Sequence, residues 1–84
     1  MSDRTHEVIT DSLLDIRAET CPMTFVRTRL ALDRLKNGQI LCVWLQGDEP
    51  LRNVPKTAVE QGHSIVQRSD SDDGSVKIWF RKGG

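Results

Sequence analysis

From Gln39 to Gln46 the chain reads QILCVWLQ, and its apolar positions fall into two alternating sets: Leu41, Val43 and Leu45 in one phase, Cys42 and Trp44 in the other. A period of two is a strand period, so the segment buries one purely aliphatic edge only as part of a sheet. Ser75–Arg81 repeats the arrangement, with Val76, Ile78 and Phe80 alternating with Lys77, Trp79 and Arg81. Strands with one aliphatic and one mixed face need cover on the aliphatic face alone. The pattern therefore predicts helices on one side of a sheet, with Cys42, Trp44 and Trp79 on the other.

The cover is supplied by two segments. Pro22 to Lys36 carries Phe25, Thr28, Leu32 and Leu35 at spacings of three and four, one face of a helix that Asn37-Gly38 stops. Gly47-Asp48-Glu49-Pro50 breaks the chain again, and a second helix is expected from Leu51 to Gln61, ending at Gly62. Pro55 lies inside it and removes a backbone donor, which predicts either a kink or a start delayed to Val54. Ser12–Ile16 reads as a short first strand. His63–Arg68 and Ser75–Arg81 read as a hairpin joined by a turn over 69–74. Residues 1–10 are polar and aperiodic and read as a flexible lead-in. The order is β-α-β-α-β-β. Right-handed crossovers put both helices on one face, the first three strands parallel and the last antiparallel. The fold class is α+β, a two-layer sandwich with a mixed four-stranded sheet.

Eighty-four residues, 37% of them hydrophobic, allow one small domain with one core. Two cysteines do not make a disulfide framework, so a reducing cytoplasm is the expected setting. Twelve Lys and Arg balance twelve Asp and Glu, which argues against nucleic acid or an anionic membrane as a partner held by charge alone. No apolar run reaches the length of a membrane span. His6 and His63 stand apart from any second Cys or His at ligand spacing, so neither a metal site nor a cofactor is expected.

Chemistry concentrates at Cys21. Pro22 directly after it marks a first helical position, where the missing N–H is no loss, and leaves the thiol at the positive end of a helix dipole. That field, with Arg17 four residues upstream, favours the thiolate, the form that attacks sulfur or carbon. Glu19 opposes it. Asp15 and Arg17 have a second reading, as a structural pair fixing the strand-to-helix turn. Cys42, mid-strand and on the face away from the helices, reads as a spectator.

Leu14-Asp15-Ile16-Arg17, three further residues and then Cys21-Pro22 opening a helix resemble the signature of the TusA/SirA family of small sulfur-transfer proteins, Leu-Asp-x-Arg-Gly-x-x-Cys-Pro-x-Pro. The resemblance implies a single TusA-like domain over 11–82, a sheet of order 1-2-4-3 like that of the C-terminal domain of translation initiation factor three, and Cys21 as the cysteine that accepts sulfane sulfur as a persulfide. It further implies a protein sulfur donor, of cysteine desulfurase or rhodanese type, and a protein acceptor. The chain departs from the signature twice. Ala18 stands in place of glycine, which implies a backbone without positive φ there. Thr24 stands in place of the second proline, at a helix lip that a partner would touch.

Met23, Val26 and Leu30 form a second apolar stripe on the first helix. It either packs on the second helix or leaves Met23 and Val26 beside Cys21 as an apolar floor for a docking partner, with Arg27 and Arg34 as a basic rim suited to an acidic surface. Trp44 and Trp79 form either a contact patch, widened by Cys42 and Ile65, or a pair shielded by Lys77 and Arg81 through cation–π contact. The expected state is a monomer or weak homodimer. Two functional alternatives stand beside the persulfide carrier: a thiocarboxylate carrier through the terminal Gly83-Gly84, and a regulatory interaction module without catalysis.

Overall fold

A computed structural model describes residues 10–20 and 23–83. The chain runs β1 (Ser12–Asp15), α1 (Met23–Asp33), β2 (Ile40–Gln46), α2 (Asp48–Glu60), β3 (Ser64–Asp70) and β4 (Ser75–Arg81). The sheet order is β1-β2-β4-β3, with β1 parallel to β2 and β4 antiparallel to both of its neighbours. Both helices pack on one face. The α+β sandwich and its strand order are those expected.

The two alternating patterns lock the register of the central pair. Leu41 lies opposite Phe80, Val43 opposite Ile78 and Leu45 opposite Val76, so the aliphatic sets meet on one face. They form the core with Ile16, Leu32, Val54 and Ala58. A slip of one residue would turn all six side chains to the other face.

The helices deviate from expectation at their ends. α1 stops at Asp33 rather than Lys36 because two side chains take over its next hydrogen bond. The Lys36 N–H donates to Gln39 Oε1 at 2.8 Å, and the Leu32 carbonyl accepts from Lys82 Nζ at 2.9 Å. The remaining turn tightens, with Leu35 N–H bonded to the carbonyl of Leu32. α2 begins three residues before the expected start, at Asp48. Gly47 supplies the first carbonyl, to Leu51 N–H at 3.2 Å. Asp48 and Glu49 then sit at the positive end of the dipole, and Pro50 occupies the first turn, where an N–H would be orphaned anyway. The residues read as a break are a helix start. The helix passes through Pro55 rather than starting after it, giving up the bond to the Leu51 carbonyl.

At its far end α2 closes in a Schellman motif. Gly62, at φ +97°, donates to Val59, and the His63 N–H reaches back to Ala58 at 3.1 Å. His63 is thereby turned inward and buried, so β3 starts one residue later than expected. β3 is an edge strand, exposed throughout, with a bulge at Val66 between Ile65 and Gln67.

Candidate functional site

Cys21 and Pro22 lie outside the described residues. What the structure describes is the frame on either side of them. After β1, Ile16 enters the core and its N–H donates to the Trp44 carbonyl at 3.0 Å. Glu19 N–H closes a turn on Ile16 at 3.1 Å, and the Glu19 carboxylate accepts from Arg27 Nη1 at 3.2 Å. The Thr20 carbonyl accepts from both Met23 and Thr24, at 2.8 and 3.3 Å. The strand-to-helix passage is thus tied to β2, to itself and to α1. Ala18 sits in it without positive φ, as expected.

Asp15 and Arg17 form the structural pair. Arg17 Nε and Nη2 reach the two carboxylate oxygens at 3.0 and 2.9 Å. The hydrogen bonds from Arg17 hold the Asp15 carboxyl well down, at about 2. Arg17 also stacks its guanidinium 3.4 Å from the centre of the Trp44 ring, with Lys77 at 4.6 Å. Its charge is engaged on the helix-free face of the sheet. The Glu19 charge is likewise engaged, by Arg27.

That helix-free face is less open than expected. Trp44 donates from Nε1 to Ser75 Oγ at 3.1 Å, and Trp79 from Nε1 to Thr10 Oγ1 at 3.0 Å. Thr10 precedes β1, so the Trp79 indole must cross β2 to reach it. Cys42 lies directly opposite Trp79 in the register, and although it points to the expected face it is only 3% exposed. Burial raises the pKa of its thiol. Cys42 therefore widens no patch. Both indoles are half-buried, and Arg17, not Arg81, joins Lys77 in covering Trp44.

The outer face of α1 is the opposite case. The helix turns Thr24, Thr28 and Leu32 inward. Thr24 is fully buried, so it is no part of a lip that a partner touches. The short threonines let the helix lie close to the sheet, and Thr28 satisfies its hydroxyl by donating to the Thr24 carbonyl at 2.7 Å. With that phase set, Met23, Val26 and Leu30 face solvent at 43, 42 and 54% exposure. The stripe is not buried against α2. Arg27 and Arg34 flank it on one side and Arg29 on the other, and Val26 leads into a groove of about 220 Å³ between the helices, floored by Phe25, Leu32, Val54 and Ala58.

The Sulfurtransferase TusA family model matches residues 12–82. The chain belongs to the TusA family. A putative sulfur carrier protein of Archaeoglobus fulgidus is 36% identical over 78 residues, 93% of this chain and 89% of that one. The putative sulfur carrier protein YrkI of Bacillus subtilis is 33% identical over 73 residues, 87% of this chain and 96% of its own. The crystal structure of a SirA-like protein from Desulfitobacterium hafniense superposes with a TM-score of 0.75 at 23% identity, covering 87% of this chain and 99% of the other, and shares the fold. Among the described residues of this TusA-family chain no three His, Cys, Asp or Glu gather as a metal site, and no helix is long and apolar enough to cross a membrane.

Three features of the site lie beyond simple apolar periodicity. Thr24 as the most buried residue of α1 escapes a search for apolar spacing, although Thr24, Thr28 and Leu32 do recur every four residues. The stacking of Arg17 on Trp44 needs the β1–β2 register, in which Asp15 faces Trp44. The burial of His63 follows from Gly62 closing the helix, a signal that was present in the Gly62-His63 pair.

Proposed function

We propose that this chain is a cytoplasmic carrier that takes sulfane sulfur as a persulfide on Cys21 from a protein donor, of cysteine desulfurase or rhodanese type, and passes it to a protein acceptor. The Cys21 thiolate attacks the terminal sulfur of the donor persulfide, the donor thiolate leaves, and the acceptor thiolate repeats the step on Cys21. Arg17 and Asp15 act as structural supports of the approach to Cys21, and Met23, Val26 and Arg27 as docking residues. The observation that carries this reading is the bare apolar stripe Met23-Val26-Leu30 on the helix that follows Cys21-Pro22. A carrier that receives from one protein and delivers to another needs a place for partners to dock, and three exposed apolar side chains beside Arg29 and Arg34, with Arg27 held by Glu19, suit an acidic partner with an apolar centre. Membership of a family whose relatives are named sulfur carriers supports it further.

The thiocarboxylate reading fares worse. Gly83 is glycine for a packing reason: a Cβ there would collide with the Gly62 carbonyl. Its N–H is bonded to His63. Gly83 at least is therefore accounted for without activation of Gly84.

Incubation with a cysteine desulfurase and cysteine, followed by intact mass measurement, tests the proposal. One added sulfur atom is expected, removed by dithiothreitol and absent in Cys21→Ser. No gain would leave the interaction module standing, and a gain unaffected by Cys21→Ser would overturn the assignment to Cys21.

A further inference from the structure

His63 sits where the C-terminal ends of both helices meet the end of β4. It is 8% exposed, and its Nδ1 accepts the Gly83 N–H at 3.1 Å. An imidazole nitrogen accepts a hydrogen bond only while unprotonated, so this contact selects the neutral ring with its proton on Nε2. Lys82 and Asp33 are the charged groups acting on the ring. Burial and the Lys82 ammonium disfavour the imidazolium, and Asp33 favours it; the balance lowers the pKa.

The residues that His63 holds make a clasp. Lys82 Nζ donates to the Leu32 carbonyl at 2.9 Å, at the end of α1, where a cation also complements the helix dipole. The Lys82 main chain pairs both ways with the α1–β2 connection, to Gly38 and Gln39, each at 2.9 Å. Gly83 lies against the Gly62 carbonyl at the end of α2. Residues 82–83 thereby join the ends of α1 and α2 beside the groove that Leu32 and Gln61 help to line.

We infer that His63 is a proton-operated latch on this clasp: the neutral ring holds Gly83 against α2, and the protonated ring ejects the Gly83 N–H and sets a second cation beside Lys82. One proton is taken up for each latch opened. The backbone pairing of Lys82 with Gly38 and Gln39 does not depend on the ring and stays. What opens is the Gly83 contact and, with it, the seat of the Lys82 ammonium on Leu32. Because the native pKa lies below the ordinary value of about 6.5, the opened state binds more protons. The latch is closed above about pH 6.5 and opens as pH falls through the lowered native value.

A pH titration of the full chain by nitrogen-15 NMR, from about pH 8 down to about pH 4.5, tests the latch. The Gly83 amide and the His63 ring should shift with one shared midpoint below about 6.5, and the hydrogen-exchange protection of the Gly83 amide should be lost below it. His63→Asn places an acceptor oxygen near the position of Nδ1 without a titrating proton. It should keep Gly83 protected at neutral pH and abolish the transition. Lys82→Gln, which leaves the ring in place, should raise the His63 midpoint. A Gly83 amide that ignores the His63 titration overturns the latch, as does a Gly83 transition that survives His63→Asn. Should His63→Asn not fold, a His63 midpoint that fails to rise in Lys82→Gln overturns it equally.

Discussion

The outer face of α1 and the two indoles on the helix-free face of the sheet are both apolar surface outside the core, and the protein treats them in opposite ways. On the sheet each indole is provided for: Trp44 lies under Arg17 and Lys77, and both indole N–H groups have hydroxyl partners. On α1, Met23, Val26 and Leu30 stand open while threonines occupy the buried face. A large apolar side chain outside the core is thus weak information by itself. What separates structure from docking surface is whether the molecule supplies its own cover.

The sharpest contrast lies between the two cysteines. In the native protein iodoacetamide should modify Cys21 about a hundredfold faster than Cys42, because Cys42 is reached only by local opening and its thiolate is disfavoured by burial. Peptide mapping over a time course reads the ratio, and comparable rates would mean that burial does not protect Cys42.

Next comes the effect on transfer. Val26→Asp with Leu30→Asp should slow sulfur loading from an acidic donor at least about tenfold by placing carboxylates in the centre of the docking stripe, with little change in Tm because both positions are exposed. Trp44→Ala should do the reverse, leaving loading unchanged and destabilising the fold by about 2 kcal/mol, less than a fully buried aromatic would. Thermal melts and loading rates on the two variants would break the comparison if they traded places.

The smallest expected effect concerns Asp15. Its carboxyl is held at about 2 by Arg17 against an ordinary 3.8. The stabilisation it brings is therefore present above about pH 3.8 and lost as pH falls toward about 2. Arg17→Ala should return the carboxyl toward 3.8, seen by carbon-13 NMR, and expose the Trp44 ring to quenching by iodide. An unmoved Asp15 would show that something other than Arg17 sets it.

Much of this was legible because alternation is a strong code. The phases of Leu41-Val43-Leu45 and Val76-Ile78-Phe80 are unambiguous, and with two crossovers they leave few ways to lay out a four-stranded sheet. α1 was harder. Its two candidate stripes, Phe25-Thr28-Leu32-Leu35 and Met23-Val26-Leu30, are similarly apolar, and the inward face is centred on threonines that hydropathy does not favour. Thr24 misled for the same reason: a departure from the family signature looked like a surface change and is a packing residue. The start of α2 was hidden because Gly-Asp-Glu-Pro serves equally as a turn and as a helix start, and only tertiary context chooses. Cys42 faces the expected way yet is buried, and alternation along one strand says which face a side chain takes but not whether that face is covered there.

The bulge at Val66 has a consequence for life at high concentration. β3 is the outer strand of the sheet, and it carries Ile65 and Val66 at 45 and 44% exposure. A flat strand of that kind would recruit copies of itself edge to edge and grow into fibrils. The extra residue at 66 interrupts the ladder and twists the edge, and the Arg68–Asp70 pair at 2.9 Å lays charge along its far half. With that edge interrupted, an exposed apolar patch on α1 is compatible with a dispersed chain, and deleting Val66 to straighten β3 is expected to raise edge-to-edge association.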